Sequence, residues 1–410
     1  MLSNDNIRIH HNTINRNGGL DGAGGGLALH TGSDNYQVTD NFVCGNFTTA
    51  EGAGIAHFGL SENGLIANNT VLFNENFNQG LTVHGGGILV SGLPAIQGQP
   101  LSPGSGSVDI SANLIQGNSS GAGDGAGIRL NRINGADVDV TNQGAVNVDY
   151  VVNLTNNMIV NNVAALSGGG VSIQDALAVN IRHNTIANND VTSTAGAAFA
   201  PGTPEQSAAQ PGAGIIARPH SLGLTALLPA NYPDIANATM QNNIVWHNRQ
   251  FFWMIDTLPE INVSGLCPDI SGNSGLTCVD GNEPVYADLA VGTQPCTDCI
   301  LSNTPDADPA FLAEYVNGNR NTTTLILEGT IQAPPAFDEG GNFIRLRYGP
   351  LTQSDTVTGN LLGDYHIQDV PDVDVVDAVD EGSAAGIVVD FDGQARPAGN
   401  GYDIGADELE

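Results

Sequence analysis

The chain has 410 residues, room for two or three ordinary domains or for one long solenoid. Its formal net charge is −32 and its eleven basic residues are all arginine, a balance that argues against nucleic acid and anionic membrane surfaces as partners. A hydrophobic content of 40% excludes a disordered chain, and 53 glycines suit short strands joined by tight turns.

In chain order, IRIHHNTINRN (7–17) is the first of seven gapless copies of one pattern. The others are YQVTDNFVCGN (36–46), GLIANNTVLFN (64–74), VDISANLIQGN (108–118), VNLTNNMIVNN (152–162), VNIRHNTIANN (179–189) and ATMQNNIVWHN (238–248). The sixth position is always asparagine: Asn12, Asn41, Asn69, Asn113, Asn157, Asn184 and Asn243. So is the eleventh, from Asn17 to Asn248, while the third and eighth are always apolar. A glycine turn with a short alternating segment falls between successive copies: GGGLAL (24–29), GAGIAH (52–57), GGGILV (85–90), GAGIRL (125–130), GGGVSI (168–173) and GAGIIA (212–217). Such alternation signals a strand.

Two strand signals per period predict an all-β, right-handed parallel β-helix over residues 1–250, with about seven coils and an apolar column as core. The shortest periods are 29, 28 and 27 residues; stretches 91–107, 131–150, 191–211 and 218–237 read as inserted loops. The sixth-position asparagines then stack as a hydrogen-bonded ladder, a structural rather than a catalytic role. Residues 251–410 read as an irregular, cysteine-bearing region and a C-terminal cap. Of five cysteines, Cys44 stands alone, and Cys267, Cys278, Cys296 and Cys299 are better read as disulfides of an oxidising compartment than as a four-thiolate Zn²⁺ site. No apolar run approaches the ~18–20 residues of a membrane span. The first residues enter the motif directly, without a signal-peptide pattern, and read as cut from a longer chain.

The asparagine ladder and glycine turns resemble the right-handed parallel β-helix superfamily, the pectin-lyase-like group, over roughly residues 1–250. GDYHIQ (363–368), VVDAVDEG (375–382) and DFDGQARPAGNGYDIGADE (390–408) resemble the closing segment of bacterial surface β-helix proteins. The Ser-Pro-Ala usual in that ending is missing here. The resemblance implies an extracellular or cell-surface location and contact with polysaccharide; fold alone does not license an activity.

A Ca²⁺-dependent lyase of this fold uses carboxylates for the metal and a basic residue for proton abstraction. The best such set is Arg129, Arg182 and Arg218, with Asp109, Asp137, Asp139 or Asp149 nearby. Solvated surface charges explain the same residues. Asp137 and Asp139, and Asp390 and Asp392 beside Gly393, are candidate Ca²⁺ ligands. For the latter pair the competing reading is closure of the terminus by Arg396 with Asp403 or Glu408. Tyr232, Phe252 and Trp253 are candidate glycan contacts, with a hydrophobic plug as the competing reading of FFWM (251–254). His10, His11, His183 and His247 read as surface or turn residues. The expected function is a monomeric, secreted or surface-displayed β-helix that binds extended polysaccharide or another surface without catalysis. The alternatives are a Ca²⁺-dependent polysaccharide lyase, a glycoside hydrolase, and a structural stalk or adhesin segment.

Overall fold

The computed structural model describes residues 4–78, 80–203, 206–258, 261–269, 285–315, 324–326, 361–369 and 378–409. Its repeating unit is a coil of four strands, most of them two to four residues long, each stacking on its counterpart one coil away. Sheet A runs from Arg8–His10 to Cys296–Thr297 and sheet B from Thr13–Asn15 to Ile300–Leu301, with eight strands each. Sheet C starts at Gly18–Gly19, and sheet D runs from Leu27–His30 to Leu289–Ala290. All pairing between coils is parallel, so the architecture is a parallel β-helix.

Register keeps the apolar columns continuous. Ile9, Val38, Ile66, Ile110, Leu154, Ile181, Met240 and Cys296 are successive partners in sheet A. Ile14, Val43, Val71, Ile115, Ile159, Ile186, Val245 and Leu301 follow in sheet B. Residues of both columns, with Ile55, Ile88, Ile128, Val171 and Ile215 of sheet D, form one core cluster. Each fully buried aliphatic side chain adds about 1.5–3 kcal/mol over its exposed state, and a slip of one residue would turn a whole column outward.

The corners explain the asparagines. The residue before each ladder position is left-handed in all eight coils: His11, Asp40, Asn68, Ala112, Asn156, His183, Asn242 and Asp298 have φ of 49–57°. Asn, Asp and His tolerate this region better than most residues, which accounts for the recurring Asn-Asn and His-Asn pairs. The ladder residue then bonds in three directions. Asn113 Oδ1 accepts from the backbone N–H (2.9 Å) and Nδ2 (3.0 Å) of Asn69. Its Nδ2 donates to Asn157 Oδ1 and to the carbonyls of Ile66 and Ser111. Asn46, Asn74, Asn118, Asn162 and Asn189 repeat the scheme as a second ladder. The glycine triplets answer a different demand. A Cβ on the third glycine would lie 2.4–2.7 Å from a carbonyl of the next coil at Gly26, Gly54, Gly87, Gly127, Gly170 and Gly214.

The solenoid continues past residue 250 by an eighth coil. Cys296 takes the inward apolar place and Cys299 the ladder place, and the two form a disulfide. Cys267 is also disulfide-bonded, Cys44 is free, and Cys278 lies outside the described residues. The strand Arg249–Leu258 leaves sheet C to form an antiparallel hairpin with Ile261–Pro268.

The C-terminal segments lie along the flank of the solenoid. Phe311, Tyr365, Ile367, Ala378, Ile404 and Ala406 pack on Met158, Val160, Ala187, Ile244, Trp246 and Ile300, the outer face of sheet B. Corner asparagines anchor them: Asn156 donates to the carbonyl of Val389, Asn161 to that of Tyr315 and Asn242 to that of Ser383. Arg396 is buried, bonding Glu408 at 2.7 Å and the carbonyls of Asp403, Gly405 and Asp407. Among the described residues no helix is long and apolar enough to cross a membrane.

Two predictions follow from the coil. Asn113→Ala removes five side-chain hydrogen bonds from the buried middle of the ladder and is expected to cost about 3–5 kcal/mol in urea unfolding. Asn12→Ala, at the exposed first coil, is expected to cost under about 1 kcal/mol; equal costs would refute the ladder's role. Inside the core, His57 bonds the Tyr36 hydroxyl at 2.8 Å and the carbonyls of Gly59 and Ser105, and burial pushes its pKa down to about 4. The unfolded chain binds this proton below about pH 6.5, so the stabilisation is complete above 6.5 and declines as pH falls toward 4, by about 3 kcal/mol in all. His57→Val, which copies Val90 of the next coil, is expected to flatten that part of the stability–pH curve.

Candidate functional site

The residue just before each glycine triplet occupies one column. Backbone bonds fix its register: Gly24 N–H donates to Glu51 O, Gly52 to His84 O, Gly85 to Asp124 O and Gly125 to Ser167 O. Glu51, His84, Asp124 and Ser167 therefore succeed one another along the axis. Beside them runs the outward row of sheet D, where Ala56, Leu89, Arg129, Ser172 and Ile216 are register partners.

These two columns meet at Asp124. Its Oδ2 lies 3.6 Å from Arg129 Nη1 and 3.5 Å from Arg218 Nε. Its backbone N–H donates to His84 Nδ1 at 3.0 Å, which places the proton of the neutral ring on Nε2. Arg129 donates to Ser172 Oγ at 2.6 Å and Gln174 Oε1 at 2.5 Å, and Arg218 to Ser167 Oγ at 3.3 Å. Arg129 Nε and Asp124 Oδ1 are buried without a hydrogen-bond partner. The side chains of Arg129 and Asp124 are 1% and 2% exposed, whereas His84 and Arg218, at 18% and 26%, form an accessible rim.

The electrostatics are those of a site with a stability cost. Burial raises the Asp124 pKa against the opposing pull of Arg129 and Arg218, and burial lowers that of Arg129 although Asp124 raises it. For both partners desolvation outweighs mutual attraction. Burial, then Arg129, Arg218 and Arg132, push His84 well below its ordinary value, so the ring is neutral. Burial raises Glu51, with Arg132 and Arg129 opposing. Three guanidiniums thus face two carboxylates and a neutral imidazole, a locally cationic spot on a chain of net charge −32.

Of the arginines expected to act together, Arg129 and Arg218 converge. Arg182 does not: it stands on sheet A, between Thr155 and Gln241. The Asp137 oxygens are taken by Asn134 Nδ2 and by the N–H groups of Gly135, Asp149 and Tyr150, so it organises its own loop. Asp139 is exposed in a two-strand hairpin with residues 146–147. Asp390 is buried and accepts from the N–H groups of Gln394 and Glu408, the closure role. Asp392 alone of that pair stands free of the backbone, beside His366. Phe252 and Trp253 are each 3% exposed, and Phe252 packs with Met254 and Cys267 of the antiparallel hairpin and with Ala209, so neither ring offers an open face for a sugar. Tyr232 is half-buried. Glu51, His84 and Asp124 lie outside both repeated motifs; the sequence signal that marks them is their shared place directly before a glycine triplet.

Comparison with known proteins returns no match: no family model, no curated protein and no solved structure aligns with this chain.

Asp124→Ala strands the buried Arg129 charge and is expected to cost about 3 kcal/mol. Adding Arg129→Leu, the residue of the neighbouring coil, is expected to restore stability to within about 1 kcal/mol of the native chain or above it. A double variant no more stable than the single one would show that the fold itself needs the pair.

Proposed function

We propose that this chain is an extracellular or cell-surface β-helix protein of the pectin-lyase-like group that binds an extended, carboxylate-bearing polysaccharide along the outer side of sheet D. One observation carries the proposal: Arg129 is buried at a register position where adjacent coils hold Leu89 and Ser172, and the next Ile216. The fold accepts apolar residues there, so the charged cluster is not a requirement of stacking. Buried charge retained at a cost, opening onto a rim of His84 and Arg218, is the signature of a recognition site. Arginine forks suit carboxylates and sugar hydroxyls. A rigid solenoid spaces such groups along one line, as an extended polymer requires.

A second reading, a carbohydrate-active enzyme, draws on Glu51 and His84. A carboxyl whose pKa burial raises and a neutral imidazole in the same column resemble the acid and base of proton-transfer catalysis.

Affinity electrophoresis in gels containing polygalacturonate, alginate or a neutral glycan separates the readings. Arg218→Ala is expected to lose retention on the acidic polymers by at least about tenfold while melting as the native protein does. The Asp124→Ala/Arg129→Leu chain is expected to fold and not to bind. Retention unchanged in both variants would sink the assignment. Release of unsaturated or reducing ends, with or without Ca²⁺, that Glu51→Gln abolishes would favour the enzyme.

A further inference from the structure

We propose that the C-terminal segments build a site for one divalent transition-metal ion of the zinc class, held by His366 Nε2 and the carboxylates of Asp392 and Asp407. The donors come from three separate pieces of chain: the strand Asp364–Ile367, the turn at 390–393 and the final stretch 403–409. One ligand atom from each lies within 4.8 Å of the others. In a tetrahedral Zn²⁺ centre with bonds of ~2.0–2.1 Å, ligand atoms stand ~3.3–3.4 Å apart. His366 Nε2 and Asp392 Oδ2, now 3.1 Å apart, need move only slightly to admit the ion.

A second feature is independent of that convergence. The other ring nitrogen, His366 Nδ1, is held by Asp364 at 2.5 Å. A metal-binding imidazole characteristically uses its far nitrogen this way, which fixes the ring and makes the near nitrogen a better donor. Asp407 is likewise oriented: it is 5% exposed, and its Oδ2 accepts the Ile367 N–H at 2.9 Å. The nearby Arg396 is committed to Glu408 and to main-chain carbonyls. Access is provided by Asp392, which is half-exposed and lines a groove of about 620 Å³ beside the corner residues Asn68, Ala112 and Asn156. One nitrogen and two carboxylate donors select zinc-class ions over Ca²⁺ and Mg²⁺, which prefer all-oxygen shells. Such an ion would clasp three segments that otherwise meet through hydrogen bonds and apolar packing. This assignment is independent of the glycan reading.

The test is calorimetric titration of the full chain, stripped with chelator and desalted, using ZnCl₂ alone and then CaCl₂ alone. One equivalent of Zn²⁺ is expected to bind and to raise the melting temperature, with Ca²⁺ failing to compete. Asp392→Asn and His366→Gln are expected to weaken Zn²⁺ at least about tenfold. Asp392 bonds no backbone group, so its variant tests the site even if His366→Gln misfolds. A His10→Ala/His11→Ala chain, lacking the exposed histidine pair of the first coil, is expected to bind as the native chain does. Absence of Zn²⁺ binding, unchanged affinity in Asp392→Asn, loss on removing His10 and His11, or equal competition by Ca²⁺ would each overturn the proposal.

Discussion

Each coil is held to the next at its corners by a side-chain amide that does the work of a backbone group. Parallel stacking satisfies the strands, but a coil that bends sharply between sheets leaves its corner N–H and C=O groups turned away from the strand ladder. Asn113 and its six counterparts meet that demand from within the turn, and those between the first and last coils accept from the asparagine of the coil before and donate to that of the coil after. Because an unsatisfied buried polar group costs about 1–3 kcal/mol, the corners could not be buried without them. The left-handed residue that precedes each one sets the angle at which the amide enters.

With the corners fixed, the outer faces are released from structural duty, and the chain spends them differently. Sheet B is covered by the C-terminal segments, through apolar packing and the side chains of Asn156, Asn161 and Asn242. Sheet D carries the Asp124–Arg129–Arg218 cluster. The glycine triplets link this surface to the core, because their close approach to the next coil aligns the preceding residues, Glu51, His84, Asp124 and Ser167. A packing requirement at glycine thereby becomes a spacing rule for charged groups.

The legible part of the sequence was whatever repeats. Seven coils, their inward columns and the ladder follow from Asn and apolar residues at fixed offsets, while the structure divides the expected two strands per coil into four and adds the left-handed corner. The eighth coil was hidden because Cys296 and Cys299 stand where an apolar residue and an asparagine were sought. The placement of the C-terminal segments was hidden because it depends on contacts across more than a hundred residues, such as Asn156 with Val389. Half of the charged cluster was visible in Arg129 and Arg218. Asp124 and His84 were not, because the position before each glycine triplet recurs but its residue type does not, and only the stacked register sets it beside Arg129 and Arg218. Phe252 and Trp253 show the converse: an aromatic run is equally consistent with an exposed surface and a buried cluster, and only the packing around it, Phe252 against Met254 and Cys267, decides.

The ladders also have a direction, and this determines how they can end. Within a row every amide-to-amide bond runs from the nitrogen of one coil to the oxygen of the next, while the same nitrogen also donates to a carbonyl of the preceding coil, so the amide links share one direction and each polarises the next. At the far end such a row presents N–H groups that need an acceptor. One more asparagine would only pass the need along. The second ladder ends instead on a carboxylate: Asn248 donates through its backbone N–H and its Nδ2 to Asp288 Oδ1, while Asp288 Oδ2 accepts from the Ser302 N–H. Burial raises the Asp288 pKa, and the bonds from Ser302 and Asn248 work against that shift, as they should where donors converge on an anion. The sixth-position ladder ends on Cys299 Sγ, a weaker acceptor at 3.4 Å from the Asn243 N–H, in a turn closed by the disulfide. Among the described coils the eighth thus differs in composition where the row meets its acceptors, Asp288 and Cys299 in place of asparagines.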